Sequence, residues 1–345
     1  MSAVRRDLLR GWKVRVGLSV LALFVLLALF GPWLTASVPG LDPRANDLTA
    51  IGLPPSAEHW LGTTQFGQDV LAQTIEGARG SLFVGFLSAV IGTALAILVG
   101  LPAGYFGGRT DSWLNFLSNL FIVMPVLPLI LIVAGYMQGT GLWVIALIIG
   151  FFGWSGGART IRAQAMSVSN RDFVLAMRTL GEPHHRLLFH EVLPHLTGWI
   201  AAMFLQGVIG GVMAEAGLAF LGISDSGAIS WGTMIQAAQQ QSAVLRGMWW
   251  WFVPPGLCIA LVATAATLVN FGVDELSNPK LRTVRRSVVR RTRDRADRAG
   301  GADRGGSAGS AGSAGSAGSA GSAGSAGSAG SADGVVGQSP VGSDA

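Results

Sequence analysis

The sequence predicts an all-α membrane protein with six transmembrane helices and both termini cytoplasmic. Three observations carry that expectation. Half of the 345 residues are hydrophobic and only 12% are charged, far from a soluble globular profile. Six stretches are apolar and long enough to cross a bilayer, which takes about 20 residues. The arginines and lysines also fall in alternate connections, as the positive-inside rule requires of a protein threaded back and forth.

The expected spans are residues 16–34, 81–105, 113–136, 142–154, 197–221 and 248–271. The fourth has a blurred end at Gly153, Gly156 and Gly157 and can continue toward Arg162. Residues 1–15 carry five Lys/Arg and one Asp before the first span, and read as a cytoplasmic N-terminal segment. Thr35-Ala36-Ser37 is weakly cleavage-like. The preceding apolar run is long for a signal peptide and five more spans follow, so it is read as an uncleaved span. Residues 153–196 carry five arginines, and the chain beyond Asp274 carries ten basic residues. Residues 35–80 hold only Arg44 and Arg79 against five acidic residues, and residues 222–247 only Arg246. Residues 16–279 therefore read as one six-helix domain, with the loop 159–196 on the same side as both termini.

That loop holds the best-defined amphipathic helix in the chain. Asn170 is the expected N-cap, and Asp172 places a negative charge in the first turn. Phe173, Met177 and Leu180 recur at spacings of four and three, drawing one apolar stripe. Gly181 suits the left-handed residue that ends a helix, and Pro183 blocks continuation. A second apolar run, 187–193, is expected to close at Pro194.

Asp172 to Gly181 (DFVLAMRTLG), followed by Val192-Leu193-Pro194, resembles the EAA loop of permease subunits of bacterial ABC importers. The dipeptide, oligopeptide and nickel branch is the most similar, and within it the C-type permeases of dipeptide and oligopeptide systems. Other motifs agree in the same order. They are His59-Trp60-Leu61-Gly62-Thr63 with Gly67, Asp69-Val70-Leu71 and Gly77-Ala78-Arg79; then Ala103 to Gly108 (AGYFGG); then Ala214-Glu215-Ala216, Phe220-Leu221-Gly222, Ser230-Trp231-Gly232 and Asn278-Pro279-Lys280-Leu281. Two positions depart from the pattern: the signature Glu is Leu175 and its second Ala is Met177.

The resemblance implies a type I ABC importer permease fold on the bacterial cytoplasmic membrane. It also implies that the loop is a coupling helix docking on a cytoplasmic ATPase, carried by Asp172, Phe173, Ala176, Met177, Leu180, Gly181, Leu193 and Pro194. The expected partners are a homologous second permease subunit in a heterodimer, two ABC ATPase subunits and an extracytoplasmic solute-binding protein. Relatives in this branch carry dipeptides, oligopeptides, nickel chelates and oligosaccharides, and peptides are the expected cargo.

Several residues have two readings. Glu215 is a candidate intramembrane polar site, or a group hydrogen-bonded to a neighbouring helix end near the outer surface. A transporter or channel acting alone would need ionisable residues along a path, and the spans offer little beyond Glu215. His185, His190 and His195 step by five, about 140° around a helix, and so share no face; no metal is expected. Gly100/Gly104, Gly153/Gly157 and Gly207/Gly211 read as close helix contacts rather than a solute path. Trp249, Trp250 and Trp251 read as interfacial anchors. The only two lysines, Lys13 and Lys280, precede Val14 and Leu281, so the chain has no G-x-x-x-x-G-K-[ST] phosphate cradle. ATP and Mg are accordingly expected on another polypeptide, with no cofactor in this chain and no catalytic role for it.

The C-terminal region divides in two. Residues 280–306 are densely basic beside the last span, a composition drawn to anionic membrane lipids and not placed for nucleic acid. From Ser307 to Gly330 the triplet Ser-Ala-Gly repeats eight times, and 307–345 is read as a disordered tail.

Overall fold

The computed structural model describes residues 12–38, 40–136, 141–223 and 227–277, the last five by their backbone alone. The basic segment 280–306 and the tail 307–345 lie outside the described residues. The long helices are α1 (Trp12–Ser37), α2 (Val70–Phe106), α3 (Gly108–Val123), α4 (Val126–Tyr136) and α5 (Leu142–Ser169). The short α6 (Asp172–Thr179) follows, then α7 (Thr197–Phe220), α8 (Trp231–Gln240) and α9 (Trp249–Ser277). Among the described residues the only β pairing is an isolated bridge between Thr63 and Asp69.

Among the described residues five helices are long and apolar enough to cross a membrane; counted as one span, the pair α3 and α4, bent by 80°, makes a sixth. An uninterrupted third span over 113–136 was expected, and the break falls at Met124-Pro125. A residue before proline is pushed out of the helical region, and Met124 lies at ψ 136°. Pro125 lacks the N–H that would continue the ladder. The fourth span runs on to Ser169, past the glycines. The second begins at Val70, so α2 spans 37 residues, ~55 Å at 1.5 Å per residue and well beyond a bilayer core.

Helices α2 and α5 run parallel in close contact. A Cβ on Gly100 would lie 2.4 Å from the Ala158 carbonyl oxygen, and one on Gly104 2.4 Å from that of Arg162. Gly92 approaches Gly150 in the same register, and Gly80 approaches Leu142. Small residues let backbones meet where lipid supplies no hydrophobic drive between helices.

Residues 40–69 fold into an ordered cap on one end of the bundle. The Thr63 hydroxyl donates to Ala50 O and accepts from Leu53 N–H, while Thr63 O accepts from Trp250 Nε1. Asp69 caps α2 through Ala72 N–H and pairs with His59 at 2.9 Å. The HWLGT…DVL motif is thus a clasp that starts α2 and fixes the loop to α9. Hydrogen bonds from the Thr49 hydroxyl and N–H hold the nearby Asp47 carboxyl below the usual carboxylate range. Of the three tryptophans read as anchors, only Trp249 is exposed. Trp250 is held by Thr63, and Trp251 sits in the core with Phe24, Trp231 and Met248. Successive helix residues point about 100° apart, so three in a row cannot share an interface.

Glu215 is 1% exposed and knots three elements together. Its carboxylate accepts from Ser230 Oγ at 2.6 Å and from Ser81 Oγ at 3.3 Å. Ser230 caps α8, and Ser81 accepts the Trp231 N–H at 3.0 Å. Trp231 Nε1 donates to Thr74 O, and Gly232 leaves room for Ala216 and the Glu215 carboxylate. Both hydroxyls already accept from backbone N–H groups, so each needs an acceptor for its own proton. Glu215→Ala should therefore cost about 1–3 kcal/mol, and Glu215→Gln, which keeps one acceptor oxygen, should cost less. Membrane-fraction yield and thermal denaturation of the purified protein would measure the order Glu, Gln, Ala; equal stability of all three would contradict it.

Candidate functional site

The segment from Asp172 to His195 stands at the opposite end of α2 from the ordered cap, beside Tyr105. Helix α5 persists to Ser169 and Asn170 ends it, so Arg171 rather than Asn170 precedes α6 and offers no side-chain cap. The other end of α6 is locally determined. Gly181 has φ +80°; its N–H donates to Arg178 O, and the Glu182 N–H donates to Met177 O. This paired closure satisfies the last carbonyls of the helix and turns the chain back toward Pro183.

The faces of α6 differ from the predicted stripe. Val174 is completely buried among Leu101, Ile161, Leu187 and Val192, with Phe173 and Met177 packed at the edge. Leu180, expected on that stripe, is 77% exposed, and Leu175 is 44% exposed. Asp172, Ala176 and Thr179 are exposed as well. Positions 172, 175, 176, 179 and 180 follow helical spacing, so the outward face carries Leu175, Ala176 and Leu180 beside Thr179, with one acid in its first turn. The Leu175 that replaces the signature Glu belongs to this outward face. Leu193 packs at the edge of the buried cluster and Pro194 is exposed.

Pro194 does not end the helical path. Residues Leu187–Val192 form a wider turn in which the Leu193 N–H donates five residues back to Leu188 O, and Leu193–His195 remains helical. Widening accommodates a proline that cannot donate and would crowd the preceding carbonyls. The histidines are dispersed: His184 against Tyr105 and Phe106, His195 against Phe173. Among the described residues no group of three His, Cys, Asp or Glu is placed to hold a metal.

Sequence reasoning missed what anchors this loop. The Arg178 guanidinium lies 4.3 Å from the Tyr105 ring centroid. It donates to Tyr105 O at 3.2 Å and to the phenol oxygen at 3.4 Å. That leaves the hydroxyl proton for His184 Nδ1, 3.1 Å away. Tyr105 lies in the last turn of α2, so one side chain joins the two limbs of the loop to the helix packed on α5. The AGYFGG motif contains this tyrosine, and Arg178 follows Val174 by four residues; only the fold brings them together.

A cavity of ≈ 660 Å³ opens between α2, α4, α5 and α7. Its polar lining is Ser88, Thr93, Thr160, Gln206 and Asn270, and among the described residues no lining residue is charged. Among the described residues the buried Asn270 side-chain oxygen has no hydrogen-bond partner. Glu215 does not line it, since its carboxylate is held in the α7–α2–α8 knot. The glycine pairs split: Gly100 and Gly104 pack against α5, whereas Gly153, Gly157, Gly207 and Gly211 also line the cavity.

Multiple apolar spans, an uncharged internal cavity and a rigid loop with an outward apolar face define a membrane translocation subunit. The chain belongs to the family of binding-protein-dependent transport system inner membrane components, which it matches over residues 96–283. It is a multi-pass protein of the bacterial inner membrane. It is 34% identical to the dipeptide transport system permease protein DppC of Bacillus subtilis over 80% of this chain and 85% of that protein. It is 32% identical to the oligopeptide transport system permease protein OppC of Mycobacterium tuberculosis over 83% of this chain and 98% of the relative. The corresponding OppC of Bacillus subtilis is 32% identical over 77% and 85%.

The anchor makes a graded prediction. Tyr105→Phe removes the phenol bonds but keeps the ring under Arg178, and should loosen the loop by about 1 kcal/mol. Tyr105→Ala should add about 0.5–1 kcal/mol for the lost cation–π contact. Gly181→Val places a β-branched residue at positive φ and should fray the end of α6. Hydrogen exchange of residues 172–186 should quicken in all three, most in Tyr105→Ala among the tyrosine variants. Unchanged exchange in Tyr105→Ala would remove the anchor.

Proposed function

We propose that this chain is one of two homologous permease subunits of an ATP-driven importer that moves di- or oligopeptides inward across the cytoplasmic membrane. The observation that carries the reading is the outward face of α6, where Leu175, Ala176 and Leu180 stand exposed on a helix anchored at both ends. A soluble partner covering that face would bury its apolar groups. The partner this family implies is a cytoplasmic ATPase, two copies of which would bind and hydrolyse ATP with Mg. Peptide cargo is supported by the names of the relatives. It is also supported by the uncharged cavity, which suits substrates whose side chains vary while their amides do not. Selection would then rest with an extracytoplasmic binding protein.

In this mechanism the chain performs no chemistry and holds no cofactor. Closure of the ATPase dimer pushes on Asp172, Leu175, Ala176, Thr179 and Leu180. The buried side of the loop, Phe173, Val174, Met177 and Leu193, passes that displacement to the cluster formed with Leu101 and Ile161. Tyr105 ties it to α2, and Gly181 and Pro194 shape the two turns. Since α2 and α5 meet at Gly100 and Gly104, they move as a pair and change the cavity they bound with α7. The positive-inside pattern supports placing this loop and both termini in the cytoplasm, with the clasp of residues 40–69 outside. The basic segment 280–306 would then meet the anionic inner leaflet.

Ala176→Arg puts bulk and charge into the outward face without touching the buried cluster. Peptide uptake should fall at least tenfold with normal membrane yield, and transport-stimulated ATP hydrolysis should fall with it. Wild-type uptake in this variant would remove α6 from coupling. Orientation is tested separately in a Cys258→Ala background. An impermeant maleimide on intact cells should label Ser56→Cys and spare His185→Cys. Labelling of His185→Cys alone would invert the topology and exclude a cytoplasmic partner at this loop.

A further inference from the structure

A second, smaller recess lies at the other end of α2, remote from the docking loop. It has a volume of ≈ 400 Å³ and is lined by Arg44, Glu76, Arg79, Phe83, Leu142 and Trp143, among others. Arg44 donates to Gly227 O at 3.2 Å, which occupies one of its five donors. Among the described residues the side chains of Glu76 and Arg79 make no hydrogen bond or ion pair. Arg44, Glu76 and Arg79 are thus among the lining residues of a recess whose wall is mostly aromatic and aliphatic.

Its level in the membrane is set by the helices. Glu76 and Arg79 occupy the second and third turns of α2, just before its apolar run from Ser81, and Leu142 and Trp143 begin α5. A tryptophan and an arginine at span ends mark the headgroup zone. Below the recess an apolar track leads into the bilayer. Arg79, Phe83, Phe86 and Val90 share one face of α2 by their spacing of four and three, and Phe83, Phe86 and Val90 are exposed. Trp143, Leu147 and Phe151 form a similar exposed row along α5. The solute cavity uses other positions of α2, namely Ser88, Ala89, Gly92 and Thr93.

We infer that Arg44, Glu76 and Arg79 form a binding site for a zwitterionic phospholipid headgroup bearing a primary ammonium, with its acyl chains along Phe83–Val90 and Trp143–Phe151. The phosphodiester oxygens accept from the two arginines, whose forked donors match a phosphate. The ammonium donates to the Glu76 carboxylate. A trimethylated choline head has no proton to give Glu76, and a glycerol head has no cation, so the charge pattern selects ethanolamine. The bound lipid would brace the cap of residues 40–69 against α2 and α5 through Arg44.

The test is native mass spectrometry of the assembled transporter after delipidation from an equimolar mixture of phosphatidylethanolamine, phosphatidylcholine and phosphatidylglycerol. The wild type should retain phosphatidylethanolamine in preference to both others. Arg79→Ala should reduce that retention about tenfold, the scale of a lost charge-assisted contact. Glu76→Gln, which changes charge and not size, should abolish the preference for phosphatidylethanolamine over phosphatidylglycerol, and it carries the test if Arg79→Ala does not assemble. Equal retention of the three lipids, preference for phosphatidylglycerol in the wild type, or unchanged retention in Glu76→Gln would each overturn the site. Millimolar inorganic phosphate and the dipeptide alanylalanine are added in separate arms. Displacement of the lipid by either at that concentration would reassign the recess to a soluble anion or to the cargo.

Discussion

The close parallel contact of α2 with α5 is the constraint on which the other features rest. Where Gly100 meets Ala158 and Gly104 meets Arg162, a Cβ would collide with a backbone oxygen at 2.4 Å. The two helices consequently have no intervening side chain between their backbones at that level. One end of this pair carries Tyr105 and the buried cluster around Val174, and its middle forms one wall of the cavity. The other end carries the Glu215 knot and the clasp at Asp69. In lipid, where apolar surface does not drive helices together, packing of this kind and buried hydrogen bonds decide the assembly.

The molecule separates rigid and open parts along that axis. Glu215, Ser81, Ser230 and Trp231 form a buried network in which each hydroxyl accepts from a backbone N–H and donates to the carboxylate. Such a network is fully satisfied, so it specifies one arrangement. The cavity is its opposite, lined by glycines and a few neutral polar groups, with the Asn270 oxygen unpartnered among the described residues. The Glu215 carboxylate, which the sequence left between a polar site and a hydrogen bond to a neighbouring helix end, is held by Ser230 and Ser81. The polar groups facing the cavity are amides and hydroxyls that the sequence did not distinguish.

The loop from Asp172 to His195 owes its form to turns that are local and faces that are not. Gly181 could be read as the end of α6 because a left-handed residue with a following proline is a property of a few adjacent positions. Which side of α6 is buried could not be read in the same way. The helix has apolar residues at 173, 174, 175, 176, 177 and 180, so more than one stripe can be drawn through it. The choice of Val174 over Leu180 is made by Leu101, Ile161 and Leu187, which lie far away in the chain or beyond the next turn. Asn170 was misread for a related reason: α5 runs sixteen residues past Gly153 to Ser169 and claims the position before α6 can.

The sequence by itself determined the six apolar spans, the charge asymmetry between their connections, the motif order that marks the family, and the turn at Gly181. Each depends on composition or on residues within one or two helical turns, where hydrophobicity, proline geometry and glycine conformation act directly. Tertiary structure alone decided the outward face of α6 and the Tyr105–Arg178–His184 anchor. It also decided the burial of Trp251, the enclosure of Glu215 and the position of the cavity. These depend on side chains from separate helices meeting at distances of about 3–4 Å. No local pattern encodes which of several equivalent helical faces will find a complementary neighbour.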